Sequence, residues 1–89
     1  MRVLIVEDDA KAASYLANAL RESGHICELA ADGEAGLELA RTDHFDILIV
    51  DRMLPRRDGL SLIATLRQAG QRTPVLILSL MLMSSGYRN

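Results

Sequence analysis

Acidic side chains end two apolar segments of this chain, and their placement suggests chemistry with a cation and a phosphate. Asp51 directly follows one apolar run, and Glu7, Asp8 and Asp9 directly follow another. Parallel strands end at the same edge of a sheet, where ligands bind in open α/β folds, so we expect these carboxylates to lie together. Clustered carboxylates are suitable ligands for Mg²⁺. Asp51 is then the candidate nucleophile that attacks phosphorus and forms an aspartyl phosphate.

Each of these residues also has a simpler interpretation. Asp8 and Asp9 have the side chains that typically cap the first turn of a helix. Capping accounts for part of the role of Asp9, but it does not explain why the second apolar run also ends in an acid. Ser79 ends a further apolar run, where its hydroxyl would either donate to a phosphoryl oxygen or simply close a turn.

Apolar runs alternate with amphipathic segments along the chain, which predicts a parallel α/β sheet with helices on its faces. Leu60, Ile63 and Leu66 are expected to point inward from the third helix. The more polar second strand is expected at an edge of the sheet. We predict strands at residues 2–6, 25–30, 45–50 and 75–79, and helices at about 9–23, 34–41 and 59–68.

The composition limits the classes of protein to consider. The chain has 89 residues, a net charge of −2 and no dense run of basic residues, so we expect no contact with nucleic acid. Its single cysteine, Cys27, excludes an internal disulfide and is typical of a reducing cytoplasm. We expect no signal peptide, because a strand pattern already begins at residue 2, and the apolar stretch 75–83 is shorter than the roughly 20 residues that a membrane span needs. We therefore expect a cytoplasmic domain without membrane contact.

Four segments together give the chain a specific resemblance. The segments are VLIVEDD at 3–9, IVDRMLP at 49–55, DG at 58–59 and TPVLILS at 73–79. With these segments the sequence resembles the receiver domain of two-component response regulators, most closely the winged-helix, transcription-factor branch. The similarity extends over residues 1–79.

The resemblance implies a flavodoxin-like, doubly wound parallel sheet and a phosphoacceptor function. It implies phosphotransfer from a sensor histidine kinase to Asp51, with Mg²⁺ as cofactor. Asp8, Asp51 and the backbone carbonyl of Met53 would hold the ion, and Glu7 would act through water. Ser79 would be the switch hydroxyl. Such a domain is not an enzyme beyond its own phosphotransfer.

The sequence departs from the family after residue 79. Residues 80–89 form a divergent tail, so we expect an incomplete fold of four strands and three helices, without the fifth strand and the last helices. The family's site lysine has no counterpart, since the one lysine is Lys11. We therefore expect impaired phosphorylation, and association of copies through the exposed fourth strand and tail. The alternative function is a self-association module that does not depend on phosphorylation.

Overall fold

Strands and helices alternate through the whole of the computed structural model, which describes residues 1–78. The order of strands and helices is the one predicted from the sequence. The elements are β1 (Arg2–Val6), α1 (Ala10–Glu22), β2 (Ile26–Ala30), α2 (Gly33–Thr42), β3 (Ile47–Asp51), α3 (Gly59–Gln68) and β4 (Val75–Leu78).

The four strands form one parallel sheet in the order β2-β1-β3-β4. β1 and β3 are the two inner strands, and both are buried on both faces because helices cover the sheet from two sides. Ala17 of α1 packs on one face, with Ile5 and Ile49. Leu62 of α3 packs on the other face, beside residues of α2. The flavodoxin-like, doubly wound arrangement is therefore confirmed, with β2 at one edge as expected.

An aspartate caps the start of each of the three helices within residues 1–78. The side chains of Asp9, Asp32 and Asp58 each accept hydrogen bonds from backbone N–H groups of the following turn. These caps satisfy donors that the helix itself leaves without partners. Gly24 follows α1 with a φ of +91°, the left-handed conformation that ends a helix and that glycine adopts readily. Local sequence signals therefore set the boundaries of the helices.

One prediction about the third helix is wrong. Leu60 was expected to point inward, but its side chain is 47% exposed, whereas Leu62 is fully buried. Ile63 and Leu66 do pack against the core as expected. The periodic pattern of α3 allows either leucine to face inward, and the direction in which the helix lies on the sheet selects Leu62.

Cys27 is buried in β2, where it packs in a cluster with Val3 and Ile5. Among residues 1–78, no helix has both the length and the apolar character needed to cross a membrane. Ser79, the predicted switch hydroxyl, and the tail 80–89 lie outside the described residues.

Candidate metal centre

The carboxyl ends of β1 and β3 bring the predicted acids to one place. The two strands are neighbours, and Val6 is paired in register with Val50. Glu7 and Asp51 are the residues that directly follow these two valines, so their side chains emerge at the same edge of the sheet. This juxtaposition depends on the pairing of β1 with β3 across more than 40 residues of sequence.

Glu7, Asp8 and Asp51 form a compact carboxylate cluster. One oxygen from each lies within 4.8 Å of the others. Glu7 is 4% exposed and Asp51 is 5% exposed, whereas Asp8 is open to solvent. The cluster therefore has two buried acids and one acid that faces solvent. A ligand can approach it from the side of Asp8.

Met53 also lies beside the cluster, as expected. Its backbone N–H donates a hydrogen bond to Oδ1 of Asp51 at 3.1 Å. This contact places the start of the loop after β3 against the candidate nucleophile. The side chain of Met53 is exposed, so only its backbone is next to Asp51.

Asp9 has a role different from that of its two acidic neighbours. Its Oδ1 accepts hydrogen bonds from the N–H groups of Lys11 and Ala12, at 3.0 and 3.2 Å, and so caps α1. Its own N–H donates to Oε2 of Glu7 at 2.9 Å. The capping interpretation is therefore right for Asp9, while Asp8 belongs to the carboxylate cluster.

Burial changes the protonation of Glu7. Removal from water is the largest cause that raises the pKa of Glu7, from its ordinary value of 4.5 to about 7. The Asp9 N–H acts in the opposite direction, and the nearby charge of Asp51 raises the pKa further. Half of the Glu7 side chains would therefore be protonated near neutral pH when no cation is bound.

The residues present fit a hard divalent cation. Oε1 of Glu7 is buried and has no hydrogen-bond partner within residues 1–78, and buried polar atoms without partners are rare in folded proteins. Three carboxylates so close together repel one another, and a cation between them removes that repulsion. Mg²⁺ in proteins binds carboxylate oxygens such as these.

Gly59 closes the loop that follows β3. Its N–H donates to the carbonyl of Arg52 at 2.9 Å, and a Cβ atom at this position would overlap the carbonyl oxygen of Asp51. A glycine is needed here for space, because the start of α3 packs directly on the backbone of the nucleophile. This lack of space accounts for the glycine in the Asp58-Gly59 pair.

Two arginines of this loop, Arg56 and Arg57, pair with acidic side chains of another element. Arg56 lies 3.5 Å from Asp32, and Arg57 lies 3.1 Å from Glu34. The acids belong to the start of α2, which sequence analysis did not connect with the site. No spacing signal indicates this contact, because the paired residues are more than 20 positions apart.

Comparison with known proteins identifies the family. The sequence model of the response regulator receiver domain matches residues 3–86. The chain belongs to this family. The probable transcriptional regulatory protein SilR of Salmonella typhimurium is 44% identical over 79 residues, which cover 89% of this chain and 35% of that protein. This chain therefore spans about a third of the length of such curated relatives.

Solved structures support the same assignment. The receiver domain of the Francisella response regulator 1452 has a TM-score of 0.86 and 38% identity, covering 88% of this chain and 64% of that one. Response regulator protein TrrA from Thermotoga maritima, solved in complex with Mg²⁺-BeF, has a TM-score of 0.83 and 26% identity over 88% of this chain and 68% of that one. The resemblance to response regulators is confirmed, and signalling is favoured over a pure self-association module.

Proposed function

We propose that this receiver domain accepts a phosphoryl group on Asp51 from a sensor histidine kinase, with Mg²⁺ as cofactor. The observation that carries the proposal is the cluster of three carboxylates within 4.8 Å, in which Asp51 is buried and oriented. The Mg²⁺-BeF complex of the relative TrrA is consistent with it, since beryllium fluoride is a mimic of a phosphoryl group and that protein has the same fold.

Asp51 has one oxygen held and one oxygen available. Oδ1 accepts the hydrogen bond of Met53, and Oδ2 accepts none within residues 1–78. Oδ2 is therefore the proposed nucleophile. It forms a P–O bond as the P–N bond to the kinase histidine breaks, and the leaving imidazole takes up a proton. In this reaction the domain is a phosphoacceptor rather than an enzyme with turnover on other molecules.

Asp8, Asp51 and the Met53 carbonyl are the proposed ligands of the cation, and Glu7 acts on it through water. A bound Mg²⁺ supplies positive charge that offsets both the clustered carboxylates and the phosphoryl oxygens. Three carboxylates and a phosphoryl group of about −2 exceed the charge of one Mg²⁺. The one lysine, Lys11, lies in the first turn of α1 and is exposed, so we propose slow phosphorylation of the 89-residue chain.

The test is treatment with acetyl phosphate and Mg²⁺, followed by intact mass spectrometry. The wild type should gain one phosphoryl group, and Asp51→Asn should gain none because its amide is not a nucleophile. Asp43→Asn is the matched control, since it removes an exposed acid at the end of α2. Equal gains in Asp51→Asn and wild type, or no gain in the wild type over hours, would contradict the proposal.

We also propose that copies of the chain associate through β4. Within residues 1–78 this strand pairs only with β3, so its other edge leaves backbone donors and acceptors open. Leu76 and Ile77, on opposite faces, are 53% and 46% exposed. A second copy is the proposed occupant because two such edges related by a two-fold axis are complementary to each other and join two sheets into one.

A further inference from the structure

The first turn of α2 contacts the loop that leads from Asp51 to α3. We refer to this loop, residues 52–58, as the acceptor loop. The N–H of Gly33 donates to the carbonyl of Pro55 at 3.2 Å. The side chain of Arg57 reaches Glu34 at 3.1 Å, and that of Arg56 reaches Asp32 at 3.5 Å. A helix distant in sequence is thus attached to the loop at three points.

Gly33 allows the closest of these approaches. It is buried, and a Cβ atom at this position would overlap the carbonyl oxygen of Arg57. The atoms that it would meet are mainly backbone, which cannot move aside in the way that a flexible side chain can. Any larger residue must therefore push the acceptor loop away from α2.

Arg57 is the stronger of the two arginine contacts. Its Nη1 donates to the hydroxyls of Ser61 and Thr65, each at 3.1 Å, while its Nε donates to Glu34. The side chain is only 28% exposed, so solvent screens this network less than an open ion pair. Arg56 is 71% exposed and its pairing contributes little by comparison.

The acceptor loop also has a strained backbone. Arg56 has a φ of +70°, and within residues 1–78 it is the one residue other than glycine in the left-handed region. A side chain makes this conformation unfavourable, so the neighbouring contacts have to maintain it. Those contacts come from Gly33 and from Arg57, on either side of the strained residue.

The same loop places the backbone of the acceptor site. Near its start the Met53 N–H donates to Asp51, and directly after its end the Gly59 N–H donates to the carbonyl of Arg52. Movement of the loop away from α2 would therefore alter the position of Met53 relative to Asp51.

We propose that Gly33 and Arg57 are positioning residues of the acceptor site. By holding the acceptor loop against α2 they fix the Met53 backbone beside Asp51, and so the start of α2 controls the affinity of the site for a divalent cation. The proposal about cation affinity rests on the proposed function, whereas the positioning of Met53 does not.

The experiment compares Gly33→Ala with Gly36→Ala. Both glycines are buried in α2, but a Cβ at position 36 meets the side chain of Val6 rather than the acceptor loop. Mg²⁺ affinity is measured by calorimetry, and exchange of the Met53 amide hydrogen is followed by NMR without metal. Gly33→Ala should weaken Mg²⁺ binding about tenfold, as loss of an outer contact of a metal site does, and should speed Met53 exchange. Gly36→Ala should leave both within about twofold after correction for its thermal stability.

A second pair of variants does not depend on the glycines. Arg57→Gln should also speed exchange of the Met53 amide. Arg67→Gln, in the last turn of α3 and away from the acceptor loop, should not. Unchanged Met53 exchange in both Gly33→Ala and Arg57→Gln would overturn the positioning role. Absence of Mg²⁺ binding in the wild type would contradict the proposed function instead, and the metal-free exchange data would still decide whether α2 positions the loop.

Discussion

Replacement of Glu7 by glutamine should make the metal-free protein more stable at neutral pH, although it removes a buried acid next to the proposed acceptor. In the wild type, ionised Glu7 is buried with one oxygen unpartnered and faces the charge of Asp51. A glutamine at this position has no charge. Its oxygen can accept the N–H of Asp9 as Oε2 of Glu7 does, and its amide nitrogen can donate toward Asp51.

The magnitude follows from the pKa of Glu7, which burial raises from 4.5 to about 7. Below pH 4.5 the side chain is protonated in both the folded and the unfolded protein, and its stabilising contribution is complete. Between 4.5 and 7 the unfolded chain loses the proton first, so the free energy of unfolding decreases by up to about 1.4 kcal/mol per pH unit. Above pH 7 the loss reaches about 3 kcal/mol.

The assay is urea unfolding followed by circular dichroism, in the presence of a chelator, at several pH values from 4 to 8.5. The quantity of interest is the difference in unfolding free energy between Glu7→Gln and wild type, in which contributions common to the two proteins cancel. This difference should increase by about 3 kcal/mol over the range in favour of the variant. Glu38→Gln, which replaces an exposed glutamate of α2, is the matched control and should show no such trend.

Two results would refute this reasoning. One is a difference between Glu7→Gln and wild type that stays constant from pH 4 to 8.5, which would mean that the folded protein does not raise the pKa of Glu7. The other is a variant less stable than wild type at pH 8, which would mean that the ionised form has a partner that the structure does not show.

Three other predictions concern the metal, the loop and the sheet edge. Mg²⁺ at about 100 times its dissociation constant should stabilise the wild type by about 2.7 kcal/mol in thermal unfolding, and Asp8→Asn should reduce this gain. Gly59→Ala should lower the free energy of unfolding by about 1–3 kcal/mol, because the added methyl group overlaps the Asp51 carbonyl. Ile77→Lys should shift the chain toward monomer in sedimentation velocity, because a charge on an edge strand opposes pairing.

Each of these predictions has a matched control. Asp43→Asn should retain the full Mg²⁺ gain, and a gain equal to wild type in Asp8→Asn would count against its role as a ligand. Leu60→Ala, at an exposed position next to Gly59, should change stability by less than about 1 kcal/mol. Ile26→Lys introduces the same charge on β2, the opposite edge, and should leave association unchanged; a wild type that is monomeric at all concentrations would contradict association through β4.

Much of the fold could be predicted from the sequence because the signals are local. The inner strands are apolar at nearly every position, as strands buried on both faces must be. The aspartates that cap the helices and the glycine that ends α1 are short-range signals of the same kind. The predicted bounds of α3 agree with the structure, whereas those of β3 were two residues early at its start and one at its end.

The site was only partly predictable. That Glu7, Asp8 and Asp51 lie together follows from strand ends in a parallel sheet, and the structure confirms it. Which of the adjacent acids is buried was not predictable, because Glu7 and Asp8 have the same charge and follow the same strand. The structure buries Glu7 and exposes Asp8, and this difference produces the raised pKa of Glu7.

The order of the elements, the helix caps and the set of acids at one edge of the sheet follow from the amino-acid sequence, because backbone geometry and hydrophobic pattern act over a few residues. Two features depend on packing: Leu62 rather than Leu60 enters the core, and Gly33 and Arg57 join α2 to the acceptor loop. The reason is that these contacts depend on how separate elements pack through space, and a spacing along one chain does not encode the distance between two of its parts.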